Sequence, residues 1–97
     1  MILSSTIATS AAVGYTVYVL YSPKFNRIYI GYTSNLAGRL NSHNLFAKKG
    51  YTARYRPWIL VYQEHYALKK DALARERQLK TAKGRLFIRT IIQQNFH

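Results

Sequence analysis

Residues 15–32, Tyr15-Thr16-Val17-Tyr18-Val19-Leu20-Tyr21, then Ser22-Pro23-Lys24-Phe25-Asn26, then Arg27-Ile28-Tyr29-Ile30-Gly31-Tyr32, decide the fold. The first run is an almost unbroken series of aromatic and β-branched residues, which favour the pleated, half-buried surface of a strand. The second alternates, with Ile28 and Ile30 on one face and Tyr29 and Gly31 on the other. Proline, asparagine and a lysine between them supply turn chemistry. The two strands are therefore expected to form an antiparallel hairpin that brings Tyr18 close to Tyr29.

Working outward, Thr33 or Ser34 can cap a helix whose apolar positions Leu36 and Leu40, with Leu45 and Phe46 at its end, face a core. Arg39 and His43 are four apart and share one face of that helix. A basic, aromatic loop follows from Lys48 to Pro57, then a third strand through Trp58-Ile59-Leu60-Val61-Tyr62. A long helix is expected from about Lys69 to Thr81, broken near Gly84, and a last helix buries Leu86, Phe87, Ile88, Ile91 and Ile92. The order β, β, α, β, α, α predicts an α+β domain, a small antiparallel or mixed sheet covered by helices. Residues 15–93 form this domain, after a loose extension over 1–14 and before a tail over 94–97.

The chain has 97 residues, enough for one modest core, and carries a formal charge of +12. Such an imbalance repels itself in a compact state, so a polyanionic partner is expected, DNA first, with RNA left open. There is no cysteine and the three histidines are scattered, so neither a disulfide framework nor a zinc knuckle is available. The carboxylates are Glu64, Asp71 and Glu76, so any metal is held by few oxygen ligands. The leader lacks the basic start of a signal peptide, and no stretch approaches the roughly 20 apolar residues of a membrane span. A cytoplasmic protein is expected, associated with the nucleoid when bound to DNA, with no membrane partner and no organic cofactor.

Thr16-Val17-Tyr18, Tyr29-Ile30-Gly31, Arg39, His43 and Glu76, taken in order, resemble the signature of the GIY-YIG nucleases. The stretches Arg56-Pro57-Trp58, Lys69 to Leu73 and Arg75-Glu76 to Gly84-Arg85 are similar to small stand-alone bacterial members. These are similar in turn to the incision domain of the excision-repair nuclease UvrC. The resemblance implies a three-stranded antiparallel sheet flanked by helices and a metal-dependent endonuclease acting on DNA, structure-selective and connected with repair or recombination. It implies Glu76 as ligand to one Mg²⁺ or Mn²⁺, hard ions that accept a single carboxylate and keep several waters. By the same resemblance Tyr29 positions or deprotonates the attacking water and Tyr18 lines the pocket. Arg39 stabilises charge on the scissile phosphate through its planar fork, and His43 relays a proton or hydrogen-bonds a tyrosine or phosphate. Gly31 allows close backbone approach.

Each residue also has a plain structural reading: Glu76 as half of a helical pair with Lys80, the tyrosines as core, Arg39 as a solvated side chain. Twelve of the fifteen lysines and arginines lie between Lys48 and Arg89. Lys48, Lys49, Arg54, Arg56, Lys69, Lys70, Lys80, Lys83 and Arg85, interleaved with Tyr51 and Tyr55, are the expected nucleic-acid track. Two departures stand out against UvrC-like members. Tyr32 takes the place of a lysine, and an asparagine near the C-terminus has no clear counterpart, Gln93, Gln94 and Asn95 being nearest. The rival reading is a non-catalytic nucleic-acid-binding module that keeps the fold.

Overall fold

The computed structural model describes residues 14–46 and 49–95. The 1–13 part of the leader, Lys48, the side chain of Phe46 and the last two residues of the chain lie outside the described residues. Strand β1 (Tyr15–Ser22) and strand β2 (Arg27–Thr33) form the expected hairpin, and β3 (Ile59–Tyr66) pairs with the other edge of β1. Both pairings are antiparallel, so the sheet is antiparallel throughout, in the order β2-β1-β3. Asn26 closes the hairpin turn at φ 54°, a left-handed conformation asparagine tolerates better than most residues.

Helix α1 (Leu36–Asn41) runs into a π-helical turn (Ser42–Phe46), then comes a short α2 (Tyr51–Arg54) inside the segment expected to be loop. After β3, α3 (Lys69–Leu79) and α4 (Ala82–Asn95) cover one face of the sheet. No helix among the described residues is long and apolar enough to cross a membrane.

The alternation in the strands splits the core in two. Val17, Val19, Tyr21, Ile28 and Ile30 pack against Ala72, Leu79, Ile88 and Ile92 of α3 and α4. On the opposite face Tyr18, Leu20 and Trp58 form a second cluster, joined by Tyr29, Leu36, Leu40 and Tyr55. The sheet is thus the partition between a helix-covered face and the face that carries Tyr18 and Tyr29.

Several boundaries differ from expectation for physical reasons. The cap of α1 is Asn35, whose Oδ1 accepts the Gly38 N–H, while Thr33 Oγ1 accepts the Asn35 N–H one step earlier. Leu45 is exposed, because the π turn rotates it away from the line of Leu36 and Leu40. β3 extends through Gln63-Glu64-His65, since Glu64 finds partners in Tyr62, Tyr66 and Arg75. Gly84 does not break a helix: a Cβ there would lie 2.4 Å from the Gln78 carbonyl oxygen and 2.5 Å from Leu79 Cα, so this glycine lets α4 cross α3 closely. That crossing makes Gly84, Ile88 and Ile92 the buried stripe and leaves Leu86 and Phe87 exposed. α4 also continues to Asn95, past the expected boundary at 93.

Candidate active site

Tyr18 stands opposite Gly31 in the β1–β2 ladder, and Tyr29 stands opposite Leu20, one step along the same face. The tyrosine rings lie 6.1 Å apart. A Cβ at position 31 would sit 2.8 Å from the Tyr18 hydroxyl and 3.1 Å from Tyr29 Cε2, so the glycine is what lets the Tyr18 ring lie across its neighbour strand. Tyr18 is buried, and its hydroxyl shares a 2.9 Å hydrogen bond with His43 Nε2.

Burial pushes the Tyr18 phenol well above its ordinary range, and Tyr29 adds to this. Arg39 opposes the shift, a hydrogen bond with Tyr29 reinforces it, and the Glu76 carboxylate raises it further. Tyr18 therefore keeps its proton in neutral solution and acts as a hydrogen-bonding phenol rather than a base. His43 is lowered from its ordinary value, first by burial and then by the Arg39 charge, so its imidazole is neutral there. Its ring stacks obliquely on Tyr29 with centroids 4.7 Å apart.

The π turn delivers His43 to the sheet. Within it, Asn44 Oδ1 accepts the Trp58 N–H at 2.7 Å and Asn44 Nδ2 donates to the Trp58 carbonyl at 3.1 Å, a two-point clamp between the turn and the start of β3. Arg56 Nε donates to the His43 carbonyl oxygen at 2.9 Å. Arg39, one turn before His43, stays exposed with its charge felt at both Tyr18 and His43. Asn44 was not among the expected site residues, since a lone asparagine carries no sequence signal of clamping a tryptophan fourteen residues away.

α3 brings up Glu76 beside Lys80, and Lys80 lines a cleft of about 270 Å³ with Tyr29, Tyr51, Arg85, Ile28 and Ile30. Tyr51 fixes its ring there by donating to the Ile28 carbonyl oxygen at 3.1 Å. Of the three carboxylates, Glu64 is held by Arg75 at 3.0 Å and by the hydroxyls of Tyr62 and Tyr66, and Asp71 is exposed in the first turn of α3. Glu76, 16% exposed and 3.4 Å from the Lys80 ammonium, is the one near Tyr18. Among the described residues no three His, Cys, Asp or Glu side chains gather to hold a metal ion. The donor set is thus one carboxylate, which fits a Mg²⁺-like ion keeping most of its waters and does not fit a caged zinc or calcium. The Glu76–Lys80 pair foreseen as a purely structural reading is present in the same place.

The expected cationic track divides. Lys80 and Arg85 line the cleft, and Lys49 and Arg54 border a larger hollow of about 560 Å³ with Tyr51 and Tyr55. Arg56 makes its bond to His43 beneath the site. Lys83 opens onto a separate groove with Arg75 and Phe87. Lys69 and Lys70 sit at the opposite end of α3, about 15 Å along the axis from Lys80. Asn95 turns its amide back to the Ile91 carbonyl of its own helix.

The profile of the GIY-YIG catalytic domain matches residues 14–89. A UPF0213 protein of Staphylococcus haemolyticus is 43% identical over 58 residues, 60% of this chain and 71% of its own length. UPF0213 proteins of Staphylococcus aureus strains Mu3 and N315 are 43% identical over 54 residues, 56% of this chain and 66% of theirs. These names specify no activity. No solved structure matches the chain. With the hairpin, the antiparallel sheet and the profile in agreement over most of its length, the chain belongs to the GIY-YIG nuclease superfamily.

Proposed function

We propose that this protein is a divalent-metal-dependent endonuclease that hydrolyses DNA phosphodiester bonds to a 5′-phosphate and a 3′-hydroxyl. It selects a feature of DNA structure, a branch, a lesion or a single strand, and serves repair or recombination. The observation that carries this reading is convergence: residues from β1, β2, α1, the π turn and α3 meet around one buried phenol. Tyr18 hydrogen-bonds His43, Tyr29 lies against His43, and the charges of Arg39 and Glu76 both act on Tyr18. A hydrophobic core needs no such meeting of charges.

Hydrolysis requires an aligned water, neutralisation of charge developing at phosphorus and support for the departing oxygen. Glu76 would hold Mg²⁺ or Mn²⁺, which supplies charge neutralisation at the phosphate when bound. Tyr29, half-buried at the cleft wall, directs the attacking water and takes its proton as the phenol passes its own proton to solvent in the cleft. Tyr18 keeps its own proton and fixes the position of Tyr29 and water by hydrogen bonding. His43, neutral, holds the Tyr18 hydroxyl in place. Arg39, permanently charged and exposed, meets the non-bridging oxygens. Lys49 and Arg54 contact flanking phosphates by charge.

The test is a Mg²⁺ and Mn²⁺ titration of plasmid nicking and of labelled branched and single-stranded DNA, with Glu76→Gln prepared in parallel. Cleavage falls in the variant by about 10³-fold, the scale of losing a principal electrostatic stabiliser, while DNA affinity changes little. Unchanged turnover in Glu76→Gln removes the metal assignment. Binding without cleavage by the wild-type chain on every substrate replaces the enzyme with a nucleic-acid-binding module.

A further inference from the structure

Among the residues facing the site, β2 offers no ammonium: Tyr29, Gly31 and Thr33 occupy its central and final positions on that side. The cations that line the cleft beside Tyr29 are Lys80 and Arg85. They are held very differently. Arg85 donates from Nε to the Lys80 carbonyl at 3.2 Å, and its own backbone N–H bonds the Thr81 carbonyl at 2.9 Å. Among the described residues the Lys80 ammonium is tethered to Glu76 Oε2 alone, at 3.4 Å, the long end of the hydrogen-bonding range, with the lysine side chain 48% exposed. Such an exposed helical pair is weak and screened by salt, and the four-carbon stem of lysine turns freely.

We propose that Lys80 is a catalytic residue with two positions, counter-charge to Glu76 while no divalent cation is bound and phosphate-binding ammonium once Glu76 is occupied. This rests on Glu76 being the metal carboxylate. Two cations at one carboxylate repel each other, so the more weakly held one leaves. Lys80 already lines the cleft beside Tyr29, so the freed ammonium turns toward a phosphate bound there. Lys80 then neutralises charge at the scissile phosphate, and Arg85, fixed to the Lys80 backbone, keeps the cleft wall in place.

The consequence is a pair of effects with opposite signs. Lys80→Met keeps the apolar stem and removes the charge. Its Mn²⁺ affinity, read by electron paramagnetic resonance without DNA, tightens by roughly threefold because a competing positive charge is gone. Its single-turnover cleavage at saturating metal and DNA slows by about 10- to 100-fold, the loss of one charge at the phosphate. Lys80→Arg keeps Mn²⁺ affinity near wild type and restores most of the cleavage. Unchanged or weaker Mn²⁺ binding in Lys80→Met, or a cleavage loss confined to DNA affinity with the saturated rate intact, overturns the proposal. Glu76→Gln is measured alongside: if it retains full Mn²⁺ affinity, the metal reading of Glu76 itself fails, which is distinct from a normal Glu76 result with an inert Lys80.

Discussion

The two faces of the sheet are built from alternate residues of the same strands, yet they respond to different physics. Toward α3 and α4 the contacts are almost wholly apolar, Val17, Val19, Ile28 and Ile30 against Leu79, Ile88 and Ile92. Toward the π turn they are aromatic and hydrogen-bonded, Tyr18 to His43, Trp58 to Asn44 and Thr52, Tyr51 to Ile28. The first face depends on area and shape, which tolerate exchange of one aliphatic for another. The second depends on donors and acceptors meeting in fixed positions inside a packed surface, which tolerate little. The helix face should therefore govern stability and the site face chemistry, and variants on each can break that division.

The largest effect is expected at Tyr29. Tyr29→Phe keeps the ring against His43 and removes only the hydroxyl, so cleavage should fall by about 10³-fold, roughly 4 kcal/mol of activation free energy, with little change in the urea midpoint. A variant that unfolds instead would show the site face to be structural. Next is Ile88→Ala, at a side chain with no exposed surface on the helix face, which should cost about 3 kcal/mol of stability by the same denaturation measurement. The folded fraction should still cut at the wild-type rate; if it does not, the faces are coupled through the sheet. Gly31→Ala is smaller in stability and informative in sign. Its added methyl meets the far end of the Tyr18 side chain, which can shift, so about 1–2 kcal/mol is expected from overpacking. Because the shift breaks the Tyr18–His43 bond, cleavage should drop further than that loss of folded protein explains.

The same contrast explains what could be read from the sequence. Alternation at Ile28, Tyr29, Ile30 and Gly31 assigns residues to faces directly, since a strand side chain has only two directions. The five candidate site residues were legible as candidates because their order in the chain resembles a family signature. Their contacts were not. Nothing in Ser42-His43-Asn44 announces a π turn, and it is this turn that aims His43 inward and Leu45 outward. Helical periodicity also failed in α4, where Leu86 and Phe87 read as core, because the glycine contact with Leu79 sets which stripe is buried. Glu64 made β3 look shorter than it is, since its partner Arg75 lies eleven residues away on α3. Local pattern carries strand faces and fails wherever a single contact between elements overrides it.

The smallest prediction separates the faces by pH. His43 on the site face is lowered from an ordinary 6.5 by burial and by Arg39. Below 6.5 the unfolded chain binds a proton that the folded chain refuses, so stability falls as pH drops through that range toward the folded value. Glu64 on the helix face is raised by burial, but the hydrogen bonds from Arg75, Tyr62 and Tyr66 outweigh this and leave it below its ordinary 4.5. Its contribution is complete above 4.5 and is lost as pH falls toward the lower folded value. Each limb is bounded by one proton, about 1.4 kcal/mol per pH unit at its steepest. Urea midpoints measured between neutral and acid pH should thus fall in two stages, the site face first. His43→Gln should lose the upper stage and keep the lower, and Glu64→Gln the reverse. If either variant removes both stages, the hydrogen bonds of the site face and the ion pair of the helix face form one cooperative network through β1, and the partition of roles between the two faces does not hold.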